Sequence, residues 1–427
     1  MMNRRHFLRA GSALSLPLFL NKLPLHAAPS SLLASLINPD SDRVLVLVQL
    51  NGGNDGLNTL VPLDQYDNLA ALRSNILLPE SSLINLNTTN ALHPAMSGMG
   101  QLFSEGKLGV VQAVGYPDQN RSHFRSTDIW TSGSASDEVD TTGWMGRYLI
   151  DDYPDYPEGY PNSATPDPIA ITMGTVVSET CQTPGFNFSL TVNDPFSQTS
   201  LFPGGDTPVP DNYYGEELSF LRTTMAQTNT YGQIVLAAAE AGNSLVEYPD
   251  TRLAEQLKNV AYLISGGLQT KIYIVNLGGF DTHANQAIGS DPTTGTHAEL
   301  LGTLSGALAA FQADLTALGL EERVVGMTFS EFGRRIRSND ALGTDHGSAA
   351  PLFLFGPCVQ DGIMGENSPL VADEIDSQTG VPMQFDFRDI YGSILVDWFE
   401  ADEERVRNIL HPEFTYLPVL SPCGETP

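Results

Sequence analysis

Six apolar runs constrain this chain more than any other feature: VLVLVQL (44–50), LGVVQAVG (108–115), PIAITMG (168–174), KIYIVNL (271–277), RVVGMTF (323–329) and PLFLFG (351–356). Near-continuous apolar strands are expected where a parallel sheet is covered on both faces, because neither side of the strand meets water. Amphipathic helical periodicity lies between them, at 64–73, 94–105, 217–245, 251–265, 297–318 and 388–410. Strand followed by helix, repeated, predicts an α/β fold with a mostly parallel doubly wound sheet and helices on both faces. Residues 152–213 break that rhythm with Pro, Asp, Thr, Gly and Tyr. They are expected to form an irregular insertion near the sheet, within a single domain spanning 29–427.

The N-terminus addresses the chain for export. NRRHFLR (3–9) precedes a moderately apolar run, AGSALSLPLFL, and a small-residue exit at HAAPS. Paired Arg4 and Arg5 followed by Phe7 and Leu8 match a twin-arginine signal, predicted over residues 1–28, and an ordinary secretory n-region leads to the same compartment. The apolar run is broken by Pro17 and Asn21, and no later stretch approaches ~18 consecutive apolar residues, so no stable membrane anchor is expected. The expectation is a periplasmic or secreted protein whose partner during export is the twin-arginine translocase.

Charge excludes some partners. With 50 acidic and 21 basic residues the net charge is −29, which argues against nucleic acid or an anionic membrane surface. Any pocket for an anion must therefore rely on local cations. The three cysteines, Cys181, Cys358 and Cys423, are too few and too scattered for a disulfide framework or a zinc finger. One bridge is allowed and none is required.

In open α/β sheets chemistry collects just beyond the carboxyl ends of the strands. NGGNDGLN (51–58) follows the first run and carries Asp55. GYPDQNRSHFRSTDIW (115–130) follows the second, with Ser122 flanked by Arg121, His123 and Arg125. GGFDTHANQ (278–286) supplies Asp281 and His283, and FSEFGRRIRSNDALGTDHGS (329–348) supplies Glu331, Asp345 and His346. Carboxylates with neutral imidazoles are what a divalent metal requires.

The blocks LVQLNGGNDGLNTLVP, GKLGVVQAVGYP with NRSHF, GGFDTH, and SEFGR with GTDHG resemble domain-of-unknown-function family 1501, over nearly all of the chain beyond the signal. That family is similar, at a distance, to the alkaline phosphatase and sulfatase superfamily. The resemblance implies an alkaline phosphatase-like fold and a hydrolase of phosphate or sulfate esters working at two divalent metals, which could be Zn, Mn, Ca or Mg. It implies Asp55 as the first-strand ligand, Ser122 as nucleophile, Asp281 and His283 on one metal, and Glu331, Asp345 and His346 on the other. Arg121 or Arg125 would clamp the equatorial oxygens of a small-molecule or polymer ester with a planar fork. No Cys-x-Pro-x-Arg signature for conversion to formylglycine is present.

Each residue also has a structural reading. Asp55 would end a strand in a Gly-Gly-Asn-Asp turn, Ser122 would cap a helix starting at His123, and Glu331 would pair with Arg334 or Arg335. His123 is read as structural with a role at the pocket left open, His93 and His411 as loop or helix-entry residues with contact to the site as the alternative, and His297 as a surface residue. Cys358 is read as a small buried apolar side chain. A non-catalytic exported surface or assembly protein that keeps the fold is the competing function.

Overall fold

The computed structural model describes residues 42–197, 208–289 and 291–423. The expected export signal, 1–28, lies outside the described residues. Twelve strands are described: β1 (Val44–Asn51), β2 (Leu60–Pro62), β3 (Ile84–Asn85), β4 (Asn90–Leu92), β5 (Leu108–Gly115), β6 (Ala170–Met173), β7 (Ser189–Val192), β8 (Ile272–Gly278), β9 (Val324–Ser330), β10 (Ala350–Phe355), β11 (Gly362–Met364) and β12 (Phe385–Asp386). The α-helices are α1 (Gly56–Thr59), α2 (Tyr66–Arg73), α3 (Ser97–Ser104), α4 (His123–Ser132), α5 (Trp144–Asp152), α6 (Tyr213–Ala241), α7 (Arg252–Ser265), α8 (Thr296–Leu318), α9 (Phe387–Phe399) and α10 (Glu403–Ile409).

The chain divides into two compact units. The larger takes 45–140, 246–257 and 275–427. Its strands run in the order β11-β5-β10-β9-β1-β8, with β12 also paired to β5. A second, antiparallel sheet has the order β2-β4-β3. The smaller unit takes 141–245 and 258–274 with the described residues before Leu45. There the first residues of β8 pair in parallel with β6, and β6 pairs in parallel with β7. The segment read as loop-rich thus contributes strands β6 and β7, the second of which its composition conceals.

The sequence reading holds for the α/β class, and two details depart from it. β10 is antiparallel to both β5 and β9, so the sheet is mixed. The cause is the β9–β10 connection, which contains no helix to carry the chain back across a face and therefore returns it alongside. The helix expected over 388–410 is two helices, because Glu400 takes a left-handed conformation (φ 58°) at the end of α9 and Asp402 then caps α10 by accepting from Arg405 N–H.

The core follows the pattern of the apolar runs. Val44, Leu45, Val46, Leu47 and Val48 of β1 are all at most 2% exposed, as a strand covered on both faces requires. α8 buries Leu301, Leu304, Leu308, Phe311 and Leu315, a three-and-four spacing on one side of the helix, and ends at Gly319 in the left-handed region. Among the described residues no helix is long and apolar enough to cross a membrane. Cys358 and Cys423 form a disulfide, so Cys358 is more than a packing residue, while Cys181 is buried and free.

Candidate metal centre

The larger unit brings four strand ends to one edge. β10 is antiparallel to β5 and β9, so its start lies beside their C-terminal ends, with Ala350 opposite Val114. β1 joins them there: Ser330 Oγ donates to Leu50 O (2.8 Å), and Gly52 N–H donates to Glu331 Oε1 (2.8 Å). β8 closes the group, since Phe280 N–H donates to Asn51 O (3.0 Å). Gly52 has φ +115°, and a Cβ there would sit 2.3 Å from the Asp281 backbone nitrogen, so only glycine lets the two loops touch.

Three imidazoles converge on one carboxylate at this edge. His346 Nε2 lies 3.1 Å and His283 Nε2 3.2 Å from Asp281 Oδ1, while His123 Nε2 lies 3.4 Å from Asp281 Oδ2. The two former ring nitrogens are 2.9 Å apart. The ligand atoms of His123, Asp281 and His346 all fall within 4.8 Å of one another. For comparison, tetrahedral ligands at zinc–nitrogen distances sit roughly 3.3 Å apart.

Each outward ring nitrogen faces an acceptor. His346 Nδ1 is 2.8 Å from Arg121 O, an acceptor without a proton, so Nδ1 carries the hydrogen. His283 Nδ1 bonds Asp345 Oδ1 (2.9 Å), and His123 Nδ1 bonds Glu331 Oε2. A neutral ring that donates outward in this way turns an unprotonated Nε2 inward. Outer acceptors behind inner imidazoles are how proteins orient metal-binding histidines. The donor set fits a divalent metal.

Electrostatics favour an ionised Asp281. Burial would raise its carboxyl, but the hydrogen bond and charge of Arg334 outweigh that and hold it below the usual carboxylate range. Asp345 is also lowered, because the hydrogen bonds from His283 and Asn339 and the charge of Arg335 overcome its desolvation. His346 is lowered, chiefly by desolvation. Asp281 and His283 are each 45% exposed at the side chain, so the centre opens to solvent.

The expected residues divide into three sets. Asp281, His283 and His346 meet directly. Glu331 and Asp345, expected as ligands of a second metal, stand one shell behind, on His123 and His283. Asp55 is elsewhere engaged: fully buried, it accepts from Arg73 Nη1 (3.0 and 2.8 Å) and from Gln286 Nε2. With Asp55 bound to an arginine and two acids turned outward, the residues present fit one cation where the resemblance implied two.

The nucleophile group is also rearranged. Ser122 occupies the N-cap position of α4 with no side-chain cap bond, and it is exposed. Arg121 stays at the centre through its carbonyl, while its Nη1 donates to Gln378 O (3.1 Å). Arg125 departs from its expected role: its Nη2 donates to the carbonyls of Ala135, Ser136 and Glu138, holding a loop. His123, read as structural, faces Asp281; its position beside Ser122 in a strand-end loop was the available signal. His297, read as a surface residue, is 2% exposed and bonds Asn54 Oδ1 (2.9 Å).

Arg334 was also missed as a site residue. It is 1% exposed, and it donates to Gly52 O, Gly53 O, Phe280 O, Thr344 O and Asp281 Oδ1. One planar cation thereby stitches three loops together. The sequence offered it only as a partner for Glu331.

Residues 262–409 match the model of the family described as "Protein of unknown function (DUF1501)". Among curated proteins none matches the sequence. Solved structures similar to the chain include the PsFucS1 sulfatase from Pseudoalteromonas sp., at 12% identity and TM-score 0.36, covering 89% of this chain and 74% of that one. The lipoteichoic acid synthase LtaP from Listeria monocytogenes is similar at 11% identity and TM-score 0.30, covering 87% and 72%.

Proposed function

We propose that this protein is an exported metal-dependent hydrolase of phosphate or sulfate esters, with its cation held by His123, Asp281, His283 and His346. The observation that carries this reading is the inward convergence of three Nε2 atoms on Asp281, each ring fixed from behind by an acceptor. A set rich in imidazole favours a zinc-like ion over calcium or magnesium. A divalent ion there would polarise an ester oxygen and lower the pKa of a hydroxyl or water.

The remaining roles belong to the chain's own groups. Asp345, Glu331 and Arg121 O keep the three rings in one tautomer. Arg121, beside the centre in a protein of net charge −29, supplies a local positive charge for an ester anion. Ser122, exposed at the start of α4, is the nucleophile candidate. The Cys358–Cys423 bridge supports an oxidising compartment, in keeping with export by the Arg4–Arg5 signal.

The test is metal analysis of the folded protein, then assay on p-nitrophenyl phosphate, its diester and p-nitrophenyl sulfate, with His346→Ala and Ser122→Ala beside the wild type. Stoichiometric metal and turnover lost with His346→Ala is the expected result. Metal-free protein would reject the centre. A bound metal without turnover on any ester would favour the competing reading, a non-catalytic exported protein, which draws support from Arg125 and Asp55 being spent on structural contacts. The double variant Arg4→Lys, Arg5→Lys should hold the protein in the cytoplasm, and unchanged export would remove the twin-arginine assignment.

A further inference from the structure

We propose that Gln286 is a positioning residue for this centre, holding the two ligand-bearing segments in register from beneath. The inference rests on the metal reading above and deepens it. Asp281 and His283 arrive on one loop and His346 on another, and their partly exposed side chains do not by themselves fix the spacing of those loops.

Gln286 is 1% exposed and all its contacts point to one task. Its Oε1 accepts from Thr282 Oγ1 (3.2 Å) and from Thr344 Oγ1 (2.7 Å). Thr282 lies between Asp281 and His283, and Thr344 directly precedes Asp345 and His346. Its Nε2 donates to Asp55 Oδ2, and Asp55 is itself anchored by Arg73. The amide orientation follows from the partners, because a carboxylate only accepts and the carbonyl oxygen can take two hydroxyl donors. Thr282, Thr344, Asp55 and Arg73 are each at most 3% exposed.

The same two segments also meet through Thr344 N–H to Thr282 O (3.2 Å). Gly343 presses on this junction, since a Cβ there would lie 2.3 Å from His283 O. Arg334 grips these segments by backbone carbonyls and by Asp281, whereas Gln286 grips them by hydroxyls and moors them to β1's end. Removing an outer-shell partner of a metal site weakens binding by about 10–100-fold while the ligands stay in place.

The experiment measures Co(II) affinity by competition with a chromophoric chelator, together with the visible spectrum of bound Co(II), for wild type, Gln286→Met, Thr344→Val and Thr344→Ser. The expected loss is about 10–100-fold for Gln286→Met, smaller for Thr344→Val, with a shifted spectrum in both. Thr344→Ser keeps the hydroxyl and should bind within about two-fold of wild type, although the lost buried methyl makes it less stable than the wild type. Affinity that follows the hydroxyl and not the unfolding midpoint is the mark of positioning. Wild-type affinity in both Gln286→Met and Thr344→Val, or equal weakening by valine and serine, would overturn the role of Gln286 alone. A wild-type protein that binds no Co(II) would overturn the cation centre and this proposal with it.

Discussion

Asp55 and Asp281 stand beyond the ends of β1 and β8 in the same unit, and their fates are opposite. Asp55 is 1% exposed and permanently neutralised by Arg73, with burial alone tending to raise its carboxyl and Arg73, His297 and Gln286 lowering it on balance. Asp281 also meets an arginine, Arg334, but only through Oδ1, and its half-exposed side chain stands among three imidazoles. Arg73 and Gln286 together engage both oxygens of a carboxylate shut away from solvent, whereas Arg334 takes one oxygen of Asp281 and leaves Oδ2 beside His123. The difference between the two acids lies in how many of their oxygens are taken and in whether solvent reaches them, not in the loop that delivers them.

The largest effect separating the two should be on stability. Asp55→Asn leaves Arg73 buried without its carboxylate and is expected to cost about 3–5 kcal/mol in denaturant unfolding. Asp281→Asn also takes a carboxylate from a buried arginine, Arg334, but that acid is half-exposed and Arg334 keeps four backbone carbonyls, so it should cost less stability while weakening metal binding. Equal stability losses would erase the distinction.

Acid should strike the buried side next. His297 is held down to about 4 and His93 to about 3, both mainly by desolvation, with Asp55 opposing in each case and the positive charge of Arg334 and Arg73 adding to it at His297. Both values lie below the unfolded 6.5, so the unfolded chain binds more protons in this window. Stability is full above about 6.5 and falls as pH drops towards 4, by on the order of 3 kcal/mol for His297. A His297→Gln variant, which can still offer Asn54 an N–H donor, should flatten part of that slope in unfolding curves taken across this pH range.

Smaller effects sharpen the exposed side. His346→Ala is expected to weaken metal binding by at least about 100-fold, and Glu331→Gln or Asp345→Asn by about 10–100-fold with the metal still bound. Titration with a competing chelator distinguishes them, and stoichiometry falling from two metals to one in either acid variant would restore the two-metal expectation. Ser122→Ala should change stability by less than about 0.5 kcal/mol, because the hydroxyl makes no cap bond, so any loss of turnover reports on chemistry.

Much of the architecture was legible because it is local. Continuous apolar runs marked β1, β5, β6, β8, β9 and β10, and three-and-four periodicity marked α8, since these patterns follow from burial of each element on its own. The break between α9 and α10 escaped because apolar periodicity continues across Glu400 while a single left-handed residue ends the helix. The direction of β10 escaped because pairing partners are chosen across the fold.

The sequence by itself determined which segments carry donors of the kind a metal takes: Asp281, His283, Glu331, Asp345 and His346 stand in strand-end loops whatever their neighbours. Only the tertiary structure decided their ranks. Arg73 reaches Asp55 from 18 positions away on α2, and Glu331 reaches His123 across 208. Whether an acid binds a metal, an imidazole or an arginine depends on which group lies within about 3 Å of it, a distance that residue order does not contain.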